Sequence, residues 1–129
     1  MANTKPRILV VDDELDICNF VKAFFEVRKF DVNTALNGDE ALSKAAQFTP
    51  DIVILDVMMR HGREGIEFLP RIKAALPLAK ILMITGVDDQ EIIDQALILG
   101  ADDYITKPLV LEYLESTVMK KVGQLTKGS

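Results

Sequence analysis

Short apolar runs alternate along this chain with longer amphipathic stretches. Ile8 to Val11, Asp51 to Leu55 and Ile81 to Ile84 are rich in β-branched or bulky apolar residues, and the weaker runs Asp31 to Leu36 and Tyr104-Ile105-Thr106 complete five predicted strands. The IVIL centre of Asp51 to Leu55 is unbroken by polar residues, as a strand buried on both faces of a parallel sheet requires. Each run is followed by a helical pattern. Ile17, Phe20, Val21 and Phe24 recur at the i, i+3, i+4, i+7 spacing of one buried face. Asn37-Gly38-Asp39 makes a turn into an Ala-rich helix from Glu40 to Phe48, which Thr49-Pro50 ends, because the residue before proline is pushed out of the helical region. A glycine-containing loop, VMMRHGREG, precedes a helix from about Ile66 to Leu76. Gln90 to Leu99 place Ile92, Ile93, Ala96 and Leu97 on one face, with Gly100 as C-terminal cap, and the last helix carries Leu111, Leu114, Val118, Val122 and Leu125. Strands alternating with helices of this length predict an α/β fold with a parallel sheet.

A length of 129 residues suits one domain, with a core from about 6 to 125 and short tails. Hydrophobic residues at 49% and charged residues at 27% exclude the disordered and disulfide-rich classes. The net charge of −5 leaves no electrostatic footprint for nucleic acid or an anionic membrane surface, so direct contact with either is not expected. Cys18, the single cysteine, is read as a small core residue; it can form no internal disulfide, which fits a reducing compartment. Ile8 to Val11 is too short for the apolar region of a signal peptide and no run approaches a membrane span, so a cytoplasmic location is expected.

The chemistry lies where the strands end, since open parallel sheets bind ligands in the crevice at their carboxyl edge. Strand one runs into Asp12 and Asp13, strand three into Asp56, strand four into Thr85 and strand five into Lys107. Carboxylates converging within about 4 Å repel by roughly 4 kcal/mol a pair at an effective dielectric of 20. Lys107 offsets part of that, and a divalent cation would offset more. Aspartates with no histidine or cysteine among them suit a hard, oxygen-seeking ion such as Mg²⁺. A carboxylate beside such an ion, with a hydroxyl and an ammonium close by, is also equipped for phosphoryl transfer, with Asp56 as nucleophile and Lys107 neutralising charge on the transferring group.

LVVDDE, IVILDVMM, ILMITG and GADDYITKP, in this order and spacing, resemble the successive motifs of the response regulator receiver domain of two-component signalling over nearly the whole chain. The resemblance implies a flavodoxin-like (βα)5 doubly wound sheet in the order 2-1-3-4-5. It implies Asp56 as phosphoacceptor, Asp13 as direct Mg²⁺ ligand, Asp12 as an acidic residue acting largely through metal-bound water, and the Met58 backbone carbonyl as a further ligand. Thr85 matches the switch hydroxyl, Tyr104 the switch aromatic and Lys107 the phosphoryl-contacting lysine, with a cis peptide before Pro108. Arg60 stands where receivers usually carry proline, and HGREGIE carries one extra residue before Gly65. His61 in this loop is read as a solvated side chain.

On this reading the chain is a signalling switch that acts catalytically only on its own phosphorylation and slow dephosphorylation. A histidine kinase or histidine phosphotransfer protein supplies the phosphoryl group. The altered surface of helix four, strand five and helix five then addresses a downstream effector protein or a C-terminal effector domain absent from this chain, which leaves a stand-alone receiver or a piece of a larger regulator. Two rivals stand beside it. A Mg²⁺-dependent aspartyl-phosphate phosphatase of the haloacid dehalogenase type needs an acid–base aspartate two residues after the nucleophile, where this chain has Met58. A receiver-like binding module without phosphorylation would not need Asp12, Asp13, Asp56, Thr85 and Lys107 together.

Overall fold

The computed structural model describes residues 5–57, 59, 64–86 and 90–127. Its strands are β1 (Arg7–Val11), β2 (Asp31–Ala35), β3 (Ile52–Asp56), β4 (Lys80–Thr85) and β5 (Asp103–Thr106), paired in parallel in the order β2-β1-β3-β4-β5. The helices between them are α1 (Leu15–Glu26), α2 (Gly38–Phe48), α3 (Glu64–Ala75) and α4 (Gln90–Leu99). The last helix, α5, joins Leu111–Tyr113, a π-helical turn at Leu114–Val118, and Met119–Lys127. The parallel α/β fold is what the alternation predicted, and the flavodoxin-like strand order is what the resemblance implied.

The apolar runs are divided between two layers by the two-residue period of the strand. Leu9, Val11, Val53, Leu55, Ile81 and Met83 face α2, α3 and α4, where they meet Ala41, Leu69, Ile72 and Ile93. Ile8, Val10, Ile52, Ile54, Leu82 and Ile84 face the opposite layer, with Val21, Phe25, Leu114, Val118 and Val122 of α1 and α5. All twelve of these strand side chains are at most 1% exposed. The sheet is therefore held from both sides, and only its edges reach solvent.

The helix boundaries follow local hydrogen-bonding chemistry. Asn37 Oδ1 accepts from Glu40 N at 2.8 Å while Glu40 Oε1 accepts from Leu36 N at 2.6 Å, a reciprocal cap that starts α2 at Gly38, two residues before the expected Glu40. Thr49, left-handed at φ 47°, ends that helix as anticipated. Gly100, at φ 123°, closes α4 with Gly100 N on Leu97 O and Ala101 N on Ala96 O, the paired bonds of a Schellman cap. Asp51 lies outside β3, where its carboxylate accepts from Arg7 N at 2.8 Å, and Asp56 is the last residue of that strand.

Three expected core positions turn outward. On α1 the buried stripe is Cys18, Val21, Phe24 and Phe25, and Phe20 is 41% exposed. Phe25 sets that phase by packing edge-on against both Phe24 and Phe30, at centroid separations of 5.0 and 5.2 Å. Leu97 of α4 is likewise 41% exposed, beyond the stripe of Ile92, Ile93 and Ala96. Leu111 is half exposed; a π turn takes up one residue more than an α turn, so positions ahead of it are offset from the Leu114, Val118 and Val122 stripe.

Candidate functional site

Parallel pairing carries the ends of β1, β3, β4 and β5 to one edge of the sheet, and the predicted polar groups arrive there with them. Asp12 follows β1 directly, extends its ladder through Asp12 N on Ala35 O at 3.1 Å, and is fully buried. Its Oδ1 accepts from Glu14 N at 2.9 Å, which turns the chain into α1. Asp56 closes β3 at 2% exposure and Thr85 closes β4 at 1%. Lys107 follows β5, anchored by Lys107 N on Thr85 O at 3.0 Å, and the Lys107-Pro108 peptide is cis.

Asp12, Asp13 and Asp56 each offer a carboxylate oxygen, and the three lie within 4.8 Å of one another. Lys107 Nζ reaches into the trio, 3.1 Å from Asp56 Oδ2 and 3.6 Å from Asp12 Oδ2. Burial, above all, raises the Asp12 pKa to about 6, and the Asp56 and Glu14 charges push the same way against the Glu14 amide and Lys107. For Lys107 burial pulls downward, but the Asp56 and Asp12 carboxylates outweigh it and hold the ammonium above the usual lysine range. Two buried oxygens, Asp12 Oδ2 and Thr85 Oγ1, have no hydrogen-bond partner among the described residues. For Asp12 Oδ2 the Lys107 ammonium at 3.6 Å is an ion-pair partner just beyond hydrogen-bond reach. An all-oxygen donor set that includes a buried carboxylate oxygen without a hydrogen bond among the described residues fits a hard divalent cation.

Tyr104 sits opposite Met83 on the neighbouring strand, two residues before Thr85 and so on the same side of the sheet. It is half-buried against the α2–α4 layer, with Lys121 Nζ 4.9 Å from its ring centroid and donating to its carbonyl at 2.7 Å. Cys18 is a core residue as expected, its thiol donating to Asp12 O at 3.3 Å and pushed up to about 11 by burial. Met58, Arg60, His61 and Val87 lie outside the described residues.

Two residues at this edge were not singled out from the sequence. Glu14 Oε2 is 3.4 Å from Lys107 Nζ; its place directly after the aspartate pair was the available signal. Gly65, in the first turn of α3, backs onto the end of β3, where a Cβ would overlap the Asp56 carbonyl oxygen and Val57 Cα. Beside the acidic trio, Glu14, Ile17, Phe20, Lys107, Pro108 and Leu109 line a groove of about 600 Å³.

The response regulator receiver domain model matches residues 8–119. The chain is 42% identical over 102 residues to the alkaline phosphatase synthesis transcriptional regulatory protein PhoP of Bacillus subtilis, covering 79% of this chain and 42% of that protein. It is 37% identical over 124 residues to regulatory protein VanRB of Enterococcus faecalis, covering 94% of this chain and 56% of that one. It thus spans about two fifths to just over half of these relatives. Among solved structures, a CheY-like response regulator receiver domain protein from Methanospirillum hungatei superposes with a TM-score of 0.83 at 29% identity, over 97% of this chain and 99% of the other. Among the described residues no helix is long and apolar enough to cross a membrane.

Proposed function

This chain belongs to the response regulator receiver domain family, and on that footing we propose that Asp56 accepts a phosphoryl group from a phosphohistidine on a histidine kinase or phosphotransfer protein. An Asp56 carboxylate oxygen forms the new bond to phosphorus, the bond from phosphorus to the imidazole nitrogen breaks, and the electron pair leaves with the imidazole. Lys107, 3.1 Å from Asp56 Oδ2, balances charge on the phosphoryl oxygens. Asp12, Asp13 and Asp56, with the Met58 carbonyl, would hold Mg²⁺. That ion, when bound, supplies further neutralisation of the transferring group.

Thr85 carries a buried hydroxyl oxygen without a hydrogen-bond partner among the described residues, ready to donate to a phosphoryl oxygen. Its movement, with Tyr104 following on the adjacent strand, would bias an existing equilibrium and alter the surface of α4, β5 and α5. An effector protein, or an effector domain of a longer regulator, would read that surface. Self-hydrolysis of the aspartyl phosphate is proposed to be slow. A location in the cytoplasm is proposed with this signalling role, and Met58, standing where a haloacid dehalogenase-type phosphatase needs its acid–base aspartate, argues against turnover of free phosphate esters.

One observation carries this reading: a nearly buried carboxylate that touches a lysine and belongs to an all-oxygen acidic trio. Asp56→Asn is expected to abolish incorporation of labelled phosphate from acetyl phosphate in Mg²⁺ while circular dichroism shows the fold retained. Incorporation at the unsubstituted level would overturn the assignment.

A further inference from the structure

Lys107 Nζ has a third carboxylate around it. Besides Asp56 and Asp12, Glu14 Oε2 lies 3.4 Å away, and Glu14 is not among the three residues whose oxygens converge as a cation site. Helix initiation does not account for it. Glu14 occupies the N-cap of α1, where short Ser, Thr, Asp or Asn side chains are preferred because they reach the first-turn amides. The Glu14 side chain makes no such bond. The turn is held by the backbone instead, through Glu14 N on Asp12 Oδ1 and through Ile17 N and Cys18 N on Glu14 O. With its main chain fixed from both directions, Glu14 extends its carboxylate to the lysine. The side chain is 58% exposed and that of Lys107 27%, so the pair lies on the solvent side of the buried Asp12 and Asp56 carboxylates.

We propose that Glu14 is a positioning residue for phosphoryl transfer: its carboxylate holds Lys107 in the resting site and competes with the phosphoryl oxygens for that ammonium, slowing uptake from small anionic donors. This rests on Asp56 being the acceptor. A phosphoryl group brings about two negative charges, whereas Lys107 carries a single positive one, so a carboxylate already on Nζ opposes its arrival. Because Glu14 is exposed, the opposition is modest and screened by salt. With acetyl phosphate, an Asp56 oxygen bonds to phosphorus, the phosphorus–oxygen bond to the acetyl group breaks, and acetate leaves with the pair.

Initial rates of labelling by acetyl phosphate in Mg²⁺ test this on the unsubstituted protein, Glu14→Gln and Asp56→Asn, with the fold of each checked by circular dichroism. Glu14→Gln is expected to be labelled roughly two- to fivefold faster at about 0.02 M salt, the gain shrinking toward none at about 0.5 M. A purely structural effect would not depend on salt in this way. An unchanged or slower rate at low salt, or a gain equal at both salt concentrations, overturns the role given to Glu14. Labelling of Asp56→Asn at the unsubstituted rate, or no labelling of the unsubstituted protein, would overturn the Asp56 reading and this inference with it.

Discussion

Asp12 and Asp13 are neighbours in sequence with different environments: the first is fully buried and the second half-buried. The Asp12 carboxyl is raised to about 6, with burial the main cause. A pKa above the unfolded value means that the folded protein binds the proton more tightly, so this contribution to stability is full below pH 3.8 and is lost as pH rises through about 6. Charging Asp12 at neutral pH then costs the metal-free protein on the order of 3 kcal/mol. Asp12→Asn in chelator is expected to stabilise the fold at about pH 7.5 by up to that amount, and by roughly half as much near pH 5. Urea unfolding at the two pH values measures it; a substitution that destabilises the protein at the higher pH would contradict the cost assigned to burial.

At the scale of elements, what distinguishes this sheet edge is how closely α3 approaches β3. Gly65 meets the Asp56 carbonyl and Val57 with no room for a side chain, and β3 itself is clamped by β1 and β4, so neither partner can yield cheaply. Gly65→Ala is therefore expected to cost about 2–3 kcal/mol, in the range of overpacked cores, and to weaken phosphate uptake at Asp56 more than a stability loss of equal size elsewhere. Denaturant midpoints with parallel acetyl phosphate labelling would show both. The same scale explains where sequence periodicity misjudged the helices. It assigned Phe20 to the buried face of α1, but the phase of a helix against a sheet is set by the residue that packs best, here Phe25 between Phe24 and Phe30.

Across the whole molecule, two apolar layers hold the sheet while its carboxyl edge gathers like charges, so the fold carries a local electrostatic cost at its site. A ligand that binds only the assembled cluster must raise stability by mass action. Millimolar Mg²⁺ is expected to raise the melting temperature by several degrees, and Asp13→Asn to lose most of that response. Calorimetry with and without chelator is the direct measurement. Melting curves that ignore the ion would remove the case for the trio as its site. The relatives PhoP and VanRB are longer than this chain.

What the sequence determined by itself is what the strand runs and the local chemistry encode. Runs such as IVIL marked the buried strands, their two-residue alternation divided the layers, and each strand's next residue named Asp12, Asp56, Thr85 or Lys107 as a site candidate. The strand order followed from resemblance to receivers rather than from periodicity. The tertiary structure alone decided that Asp12 is buried and Asp13 half-buried, that Lys107 is shared with Glu14, and that Gly65 abuts Asp56. The physical reason is that burial, ion pairing and close approach depend on how twisted strands and docked helices bring distant segments together, and no local period encodes those distances.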